Sequence, residues 1–288
     1  MSRVIQQSIR FAAITGAGSG LGRDIALGLA AKGYRVFGTA ITPEEITDLQ
    51  QASGNAVALT MCDITDEPAV KSWARTVSGQ TDGGLNLLIS NAGILTPGAI
   101  ETLPLASIRR EFEVNVFGAL SVVNAFLPAL RKARGRIVQI STWTAHLPLP
   151  FNGPSGASKA AMEVFLTVYR EELKRFGIEV VVAVAGNMRT GGPAKTASAL
   201  ARTAERMTPP ERVLYGKAFG AFAAKLNGMQ DNGLASVDAA RRVIEIAEQN
   251  PAPRLAPVGQ DAEEILRVVR EKSDDEQDAL RLQILGLR

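Results

Sequence analysis

Six short apolar runs, Phe11 to Thr15, Arg35 to Ala40, Ala56 to Met61, Leu85 to Ser90, Arg136 to Ser141 and Ile178 to Ala185, recur at intervals that each leave room for one helix. This alternation limits the possible folds more than any other feature. The run Ile178-Glu179-Val180-Val181-Val182-Ala183-Val184 is too continuously apolar for a strand with one wet face. Strands buried on both sides belong to parallel sheets covered by helices. The intervening segments carry helical periodicity. From Leu21 to Lys32 the apolar positions are Leu21, Ile25, Leu29 and Ala30, and Gly33 follows as a stop. Asp66 to Ser78, Leu105 to Ala133 and Ser155 to Phe176 behave alike. Strand and helix in repeated alternation predict an α/β fold with a doubly wound parallel sheet.

Beyond Gly186 the pattern changes. A Gly, Ala and Thr-rich stretch from Thr190 to Leu200 leads into a helical region to Leu226, and Ser236 is placed to cap a helix through Glu248. Arg254 to Val258 reads as a last strand, and the charged tail from Asp261 carries Leu280, Ile284, Leu285 and Leu287 as a docking face. One domain over residues 1–288 is expected, with a lid at about 190–230 and a C-terminal helical tail at about 260–288. At 288 residues, 46% hydrophobic and 21% charged, the chain can bury a large core. The lone Cys62 and lone His146 leave no set of ligands for a metal. A net charge of +3 is scattered among carboxylates, so no nucleic-acid partner is expected. No apolar run approaches the roughly 18 residues of a membrane span, and Arg3, Gln6, Gln7 and Arg10 interrupt any signal-peptide core. These readings imply no membrane partner and a cytoplasmic location.

The first strand runs into Thr15-Gly16-Ala17-Gly18-Ser19-Gly20-Leu21-Gly22, where a helix opens. Glycines in such a turn let the backbone approach a pyrophosphate, and the helix N-terminus offers free N–H groups to its charge. Asn91-Ala92-Gly93 after the fourth strand adds a second small-residue loop at the carboxyl edge of the sheet. Asp63, just past the third strand, is placed either to accept a hydrogen bond from an adenine amino group or to cap the helix before Asp66.

With these residues in view, the chain resembles the short-chain dehydrogenase/reductase family. Its TGxxxGxG pattern is matched by Thr15, Gly16, Gly20 and Gly22, and its NAG loop by Asn91, Ala92 and Gly93. NVxG is matched by Asn115-Val116-Phe117-Gly118, ASK by Ala157, Ser158 and Lys159, and PGxxxT by Gly186 and Thr190, with Ala185 in place of proline. The likeness covers roughly residues 8 to 190. It implies a Rossmann-like domain that binds a nicotinamide dinucleotide through Gly16, Ser19, Gly20, Leu21, Gly22, Asp63, Ile64, Asn91, Ala92, Gly93, Lys159, Gly186, Met188 and Thr190. It also implies a small-molecule substrate and a homodimer or homotetramer packed through the helix of Ser155 and Lys159. Leu149-Pro150-Phe151-Asn152-Gly153 looks most like the hydroxysteroid and retinol dehydrogenase branch, which points to lipophilic alcohols or ketones. At the ribose-reading position, Thr39-Ala40-Ile41-Thr42 carries no carboxylate before Glu44 and leaves room for a 2′-phosphate. NADP is therefore favoured slightly over NAD, although no arginine stands near position 41.

In the family, an asparagine, a serine, and a tyrosine four residues before a lysine carry out carbonyl reduction. Asn115 and Lys159 match, but Ser155 holds the tyrosine position and Thr142, beside Ser141, holds the serine position. Threonine keeps the hydroxyl. Ser155 does not replace a phenol, because an aliphatic hydroxyl lies about 6 pKa units higher, or roughly 8 kcal/mol for full deprotonation. Three readings stay open: an oxidoreductase with another proton source, a nucleotide-binding scaffold with impaired or non-redox chemistry, or an engineered inactive chain. His146 is the best substitute acid in the sequence, ahead of Tyr215 in the lid and Tyr169, which is turned off the lysine's face of its helix.

Overall fold

The computed structural model describes residues 9–189 and 192–286. The strands in chain order are β1 (Arg10–Ile14), β2 (Tyr34–Ala40), β3 (Val57–Met61), β4 (Leu87–Ser90), β5 (Arg136–Thr142), β6 (Glu179–Ala185), β7 (Met188–Arg189), β8 (Leu234–Ala235) and β9 (Leu255–Val258). Seven of them form one sheet in the order β3-β2-β1-β4-β5-β6-β9, and every pair is parallel. The six apolar runs and the late strand read from the sequence are these seven. The helices are α1 (Gly20–Ala31), α2 (Pro43–Ala52), α3 (Glu67–Gln80), α4 (Leu105–Phe112), α5 (Ala119–Ala133), α6 (Gly153–Lys174), α7 (Gly192–Arg206), α8 (Pro209–Asp231), α9 (Ser236–Glu248), α10 (Gln260–Glu271) and α11 (Asp274–Leu285).

The central strands feed two cores, because successive side chains leave opposite faces of the sheet. On β6, Val180, Val182 and Val184 join Trp73 of α3, Phe126 of α5 and Leu166 of α6. Val181 and Ala183 point the other way, toward Ile25 and Leu29 of α1 and Val243 of α9. Trp73 and Phe126 meet edge to face with centroids 4.8 Å apart. This two-sided burial makes the strands read as unbroken apolar runs. The strand order reverses between β1 and β4, and the crevice opens at their carboxyl ends, where such sheets take ligands.

The structure departs from the sequence reading in three places. Helix α2 is an additional element. Thr42 caps it, accepting from the Glu45 backbone N–H at 3.3 Å, but only Leu49 of this helix is buried, so it shows no apolar stripe. The stretch from Leu105 to Ala133 is not one regular helix: a π-helical segment over Glu113–Gly118 separates α4 from α5. A Cβ at Gly118 would stand 2.9 Å from Ile64 Cγ1, so the glycine allows this close approach. Thirdly, Ala235 caps α9 in place of Ser236, whose hydroxyl donates to Asp24 Oδ2 on α1.

By length and composition alone, Leu105–Ala133 could cross a membrane, yet 56% of its most apolar window is buried inside the protein, as in a core helix. Helices α7 and α8 follow the short β7, which pairs with β8. In the tail, Leu285 is buried, with Leu280 and Ile284 packed partly against the first core, while Leu287 lies outside the described residues.

Candidate active site

The glycine turn is bound to two neighbouring strand ends. Thr15 Oγ1 accepts from the backbone N–H groups of Asn91 (2.9 Å) and Ala92 (3.0 Å), and Asn91 Nδ2 donates back to the carbonyls of Thr15 and Gly16. Gly16 N–H donates to Thr39 Oγ1 at 2.9 Å, which fixes the turn against β2. Gly16 and Gly20 both have positive φ, at 63° and 56°. Gly22 is required for space: a Cβ there would fall 2.2 Å from the Gly16 carbonyl oxygen. The Ser19 side chain precedes α1 without capping it, so the first N–H groups of that helix face the cleft unclaimed by a side chain. An acceptor-rich, anionic group such as a dinucleotide pyrophosphate fits this cradle.

The cleft, about 680 Å³, is lined by Gly16, Ser19, Gly20, Asp63, Ile64, Asn91, Ala92 and Gly93, among others, so most of the expected cofactor residues come together. Leu21 and Lys159 line its continuation toward β5, as do Gly186 and Met188. Thr190 lies outside the described residues. Asp63 is not a helix cap; Asp66 caps α3 instead, accepting from Ala69 N–H. Both Asp63 oxygens have partners, Oδ1 with Thr65 and Oδ2 with Arg110 at 3.0 Å. Burial alone would raise this carboxyl, but the bonds from Thr65 and Arg110 outweigh it and hold the pKa below the ordinary value.

Sequence reading missed three charged residues in the cleft, Arg110 beside Asp63, Glu45 and Lys195. Glu45, in the first turn of α2, folds back so that Oε2 accepts from Ile41 N–H at 3.1 Å and covers Gly18. This places a carboxylate at the end of β2, where the segment Thr39 to Thr42 itself has none. A glutamate at the third position of a capped helix often reaches back in this way, and Thr42-Pro43-Glu44-Glu45 held that signal. Lys195 of α7 brings its ammonium to 3.3 Å from Ser19 Oγ, beside the open end of α1.

Thr142, at the end of β5, and Ser155, in the first turn of α6, line one cavity. Lys159 lies one turn further along α6 and donates to the Ile140 carbonyl at 2.9 Å. Asn115 is almost fully enclosed and its amide is saturated. Oδ1 accepts from Ile94 N–H, and Nδ2 lies within bonding distance of Ile94 O, Glu111 Oε1 and Ser158 Oγ. It thereby anchors the loop after Gly93 to α6. Gly93 separates Asn115 from Lys159: a Cβ there would meet Asn115 Oδ1 at 3.1 Å and Lys159 Nζ at 3.4 Å. Burial pushes the Lys159 ammonium down to about 8, against the opposing pull of Glu111 and Glu163. Burial also pushes the fully enclosed Glu111 carboxyl up to about 7, despite hydrogen bonds from Thr96 and the charge of Lys159.

Neither His146, the best substitute acid in the sequence, nor Tyr215 or Tyr169 lines the cavity at Ser155. His146 Nε2 sits 3.2 Å from Glu163 Oε2, and Ser141 Oγ donates to the other oxygen of that carboxylate. Tyr169 donates to Asn124 Oδ1 at 2.6 Å, and Tyr215 donates to Glu101 Oε1. The third tyrosine of the chain, Tyr34, bonds Glu248 at 3.1 Å.

Glu111 makes stability depend on pH in a definite direction. Its folded pKa of about 7 lies above the ordinary 4.5, so the folded state holds this proton more tightly. The resulting penalty is absent well below pH 4.5, grows between 4.5 and 7, and is complete above 7. Glu111→Gln should therefore stabilise the protein at pH 8 by up to about 3 kcal/mol, with the gain fading as pH falls from 7 to 4.5. Urea unfolding of both proteins across this range measures it; an equal gain at every pH would remove titration of Glu111 as the cause.

A family model described as short chain dehydrogenase matches residues 10–200. Among characterised proteins, the chain is 30% identical over 241 residues to an NADPH-dependent 3-dehydrocapnine reductase of Ornithobacterium rhinotracheale, covering 75% of this chain and 85% of that one. It is 34% identical over 226 residues to retinol dehydrogenase 5 of Homo sapiens, covering 76% and 69%. Among solved structures, a short-chain dehydrogenase from Burkholderia cenocepacia in complex with NADP superposes with a TM-score of 0.71 at 25% identity, over 96% of this chain and 98% of that one. A short-chain dehydrogenase from Streptomyces avermitilis reaches a TM-score of 0.76 at 24% identity, over 98% and 97%. The glycine turn, the strand order and these matches agree: the chain belongs to the short-chain dehydrogenase/reductase family of oxidoreductases.

Proposed function

We propose that the protein interconverts a hydroxyl and a carbonyl group on a small, largely hydrophobic substrate, using NADP(H) held along the cleft from Gly16 to Met188. The observation that carries this reading is the preformed cradle, in which Gly16 and Gly22 let the turn pack against Asn91 and Ala92 while the first N–H groups of α1 are left without a side-chain cap. Bound there, the nicotinamide supplies or accepts a hydride at the substrate carbon. Lys159, which lines the continuation of the cleft beside the Asn115-anchored loop, would hold the nicotinamide ribose. The α7–α8 region, within residues 190–230, covers the substrate as a lid; its Leu226 joins Leu95 and Leu149 as apolar wall of the Ser155 cavity.

Proton transfer must proceed without a phenol. Thr142 and Ser155 supply hydroxyls that orient the substrate oxygen or a water on it. Lys159, with its pKa lowered to about 8, is the titrating group that returns a proton through that water. His146 is set aside for this role because it does not line the Ser155 cavity. The competing reading, a scaffold with impaired or non-redox chemistry, rests on Ser155 alone.

A second cofactor reading has its own observation. Glu45 places a carboxylate over Gly18, where it would repel a 2′-phosphate and accept from a free ribose hydroxyl, so NAD(H) is the alternative to NADP(H). The cytoplasmic location is part of the proposal. So is a homo-oligomer: Val164, Phe165 and Val168 of α6 are 44–66% exposed, and Phe117 is 55% exposed, a face suited to a second copy across a twofold axis.

Three measurements test these points. Calorimetric titration should show micromolar binding of at least one nicotinamide cofactor. Glu45→Gln should improve NADPH affinity relative to NADH about 10-fold if the carboxylate sets the choice. No binding of either cofactor at millimolar concentration would defeat the oxidoreductase reading. Ser155→Tyr should raise carbonyl reduction about 10² to 10⁴-fold, while His146→Ala leaves the rate of the parent unchanged. Little gain in the first, or a large loss in the second, would place the proton donor elsewhere. Light scattering should give a dimer or tetramer, and a monomer of 30.6 kDa at micromolar concentration would refute the apolar face as an interface.

A further inference from the structure

Helix α7 lies along the cleft and is tied down near both ends. Near its start, Lys195 Nζ stands 3.3 Å from Ser19 Oγ at the head of α1. Near its end, Thr203 Oγ1 donates to the Pro97 carbonyl at 3.0 Å, and Gly98 N–H in turn donates at 2.8 Å to the carbonyl of Phe151, shortly before Ser155. The helix thus runs from the glycine turn to the loops that flank the Ser155 cavity. Its rotation about its own axis is fixed as well. Ala197, Leu200, Ala201 and Ala204 line a groove shared with Phe219 and Ala223 of α8, and Leu200 is buried. At about 100° per residue, Lys195, Ala199 and Arg202 fall on the opposite face of α7, and all three line the cleft.

This part of the cleft, about 800 Å³ in volume, adjoins the Ser155 cavity, with which it shares Leu95, Thr142 and Met188. Among the described residues its wall holds the cations Lys159, Lys195 and Arg202 and no carboxylate. Two of these cations are accounted for. Lys159 donates to the Ile140 carbonyl and feels the charges of Glu111 and Glu163, while Lys195 stands where a pyrophosphate would meet the open end of α1. Arg202 is exposed and has no hydrogen bond or ion pair among the described residues. It lies two helical turns, or about 10 Å of axis, beyond Lys195. Nor does it line the cleft beside β2, where a 2′-phosphate would sit. The charges of a dinucleotide are therefore met by other groups, and Arg202 adds to the substrate end of the wall a cation that the cofactor does not neutralise.

We propose that Arg202 takes an anionic group of the substrate, a carboxylate or a phosphate-like group, so that the protein acts on an amphiphile whose hydroxyl or carbonyl lies at Thr142 and Ser155 and whose acidic group lies under α7. The proposal rests on the oxidoreductase reading and narrows its substrate class. A guanidinium suits this role because its fixed fork of donors bonds two oxygens of one anion at once. Ile94, Leu95 and Met188 supply apolar surface in the same wall for the carbon chain between the two ends. Because Arg202 belongs to the lid, an anion bound to it also ties α7 to the substrate.

The test measures binding to protein already saturated with its cofactor, so it does not require turnover. Calorimetry at low salt compares levulinate, the keto acids longer by two and by four methylenes, and the corresponding ketophosphonates, each against its own methyl ester, which keeps the shape and removes the charge. At least one anion should bind about 10-fold more tightly than its ester, and the advantage should shrink as salt is added, because Arg202 is exposed. In Arg202→Gln the advantage should fall to about 2-fold or less, while Arg202→Lys, which keeps the charge without the fork, should retain about 3-fold or more. Lys195→Gln should weaken the cofactor yet leave the ratio of anion to ester affinity as in the parent. Equal affinity of every anion and its ester overturns the proposal. So does an advantage that survives Arg202→Gln, which would assign the anion to Lys159 or Lys195, or no binding of any probe while the cofactor still binds. Failure of the parent protein to bind cofactor would instead defeat the oxidoreductase reading beneath it.

Discussion

The architecture of the site depends on the hydrogen bonds that join the carboxyl ends of β1, β2 and β4. Thr15 Oγ1 accepts two backbone N–H groups from the β4 loop, Asn91 returns its amide to two carbonyls of the glycine turn, and Thr39 Oγ1 takes the Gly16 N–H. These bonds satisfy backbone groups that a loop at a buried crevice would otherwise leave unpaired. They also allow close approach only where side chains are missing. A Cβ at Gly22 would overlap the Gly16 carbonyl, and one at Gly16 would stand 3.3 Å from Ala92. The cleft is therefore shaped before any ligand arrives, which lowers the ordering cost of binding.

A second constraint lies deeper. Asn115 links the loop at Ile94 to Glu111 and to Ser158 of α6, and the π-helical turn carries it there. Glu111 is enclosed, its Oε2 has no partner, and burial raises its carboxyl to about 7. Such a group weakens the fold at neutral pH, yet it opposes the loss of charge on Lys159, which burial has already lowered to about 8. The two perturbed groups interact electrostatically, as acid–base groups at functional sites often do.

The fold was legible because both faces of the sheet are covered. Residues such as Val180 and Val181 are buried in different cores, so β6 shows no polar alternation and its type can be read from the run itself. The glycine turn and Asn91 were legible for a related reason, since backbone approach demands small residues at fixed positions. Helix α2 was not, because burying only Leu49 leaves no period to detect. The π-helical segment was hidden by a composition that suits an ordinary helix. Glu45 was passed over because the ribose-reading position was sought in the strand end, whereas a side chain from the following helix reaches back to Ile41. Lys195 lies 176 residues from Ser19, a separation that no local pattern spans.

The residues around Ser155 show why a motif alone is a poor guide to this site. A phenol at that position would carry its own hydroxyl to the substrate oxygen; serine is shorter and leaves a cavity bounded by Thr142, Asn152 and Gln230. The other phenols cannot fill it, because Tyr34, Tyr169 and Tyr215 are bonded to Glu248, Asn124 and Glu101 on other parts of the surface. His146 Nε2 lies 3.2 Å from Oε2 of Glu163, one turn beyond Lys159 on α6, and Ser141 bonds the same carboxylate. Ser155, Lys159 and Glu163 recur every four residues along one face of that helix, so a hydroxyl, an ammonium and a carboxylate run in line from the cavity into the protein. Only the first two face the clefts, and of these only the ammonium titrates within the physiological range. Along this face the titrating group next to Ser155 is therefore the Lys159 ammonium, one turn further along α6.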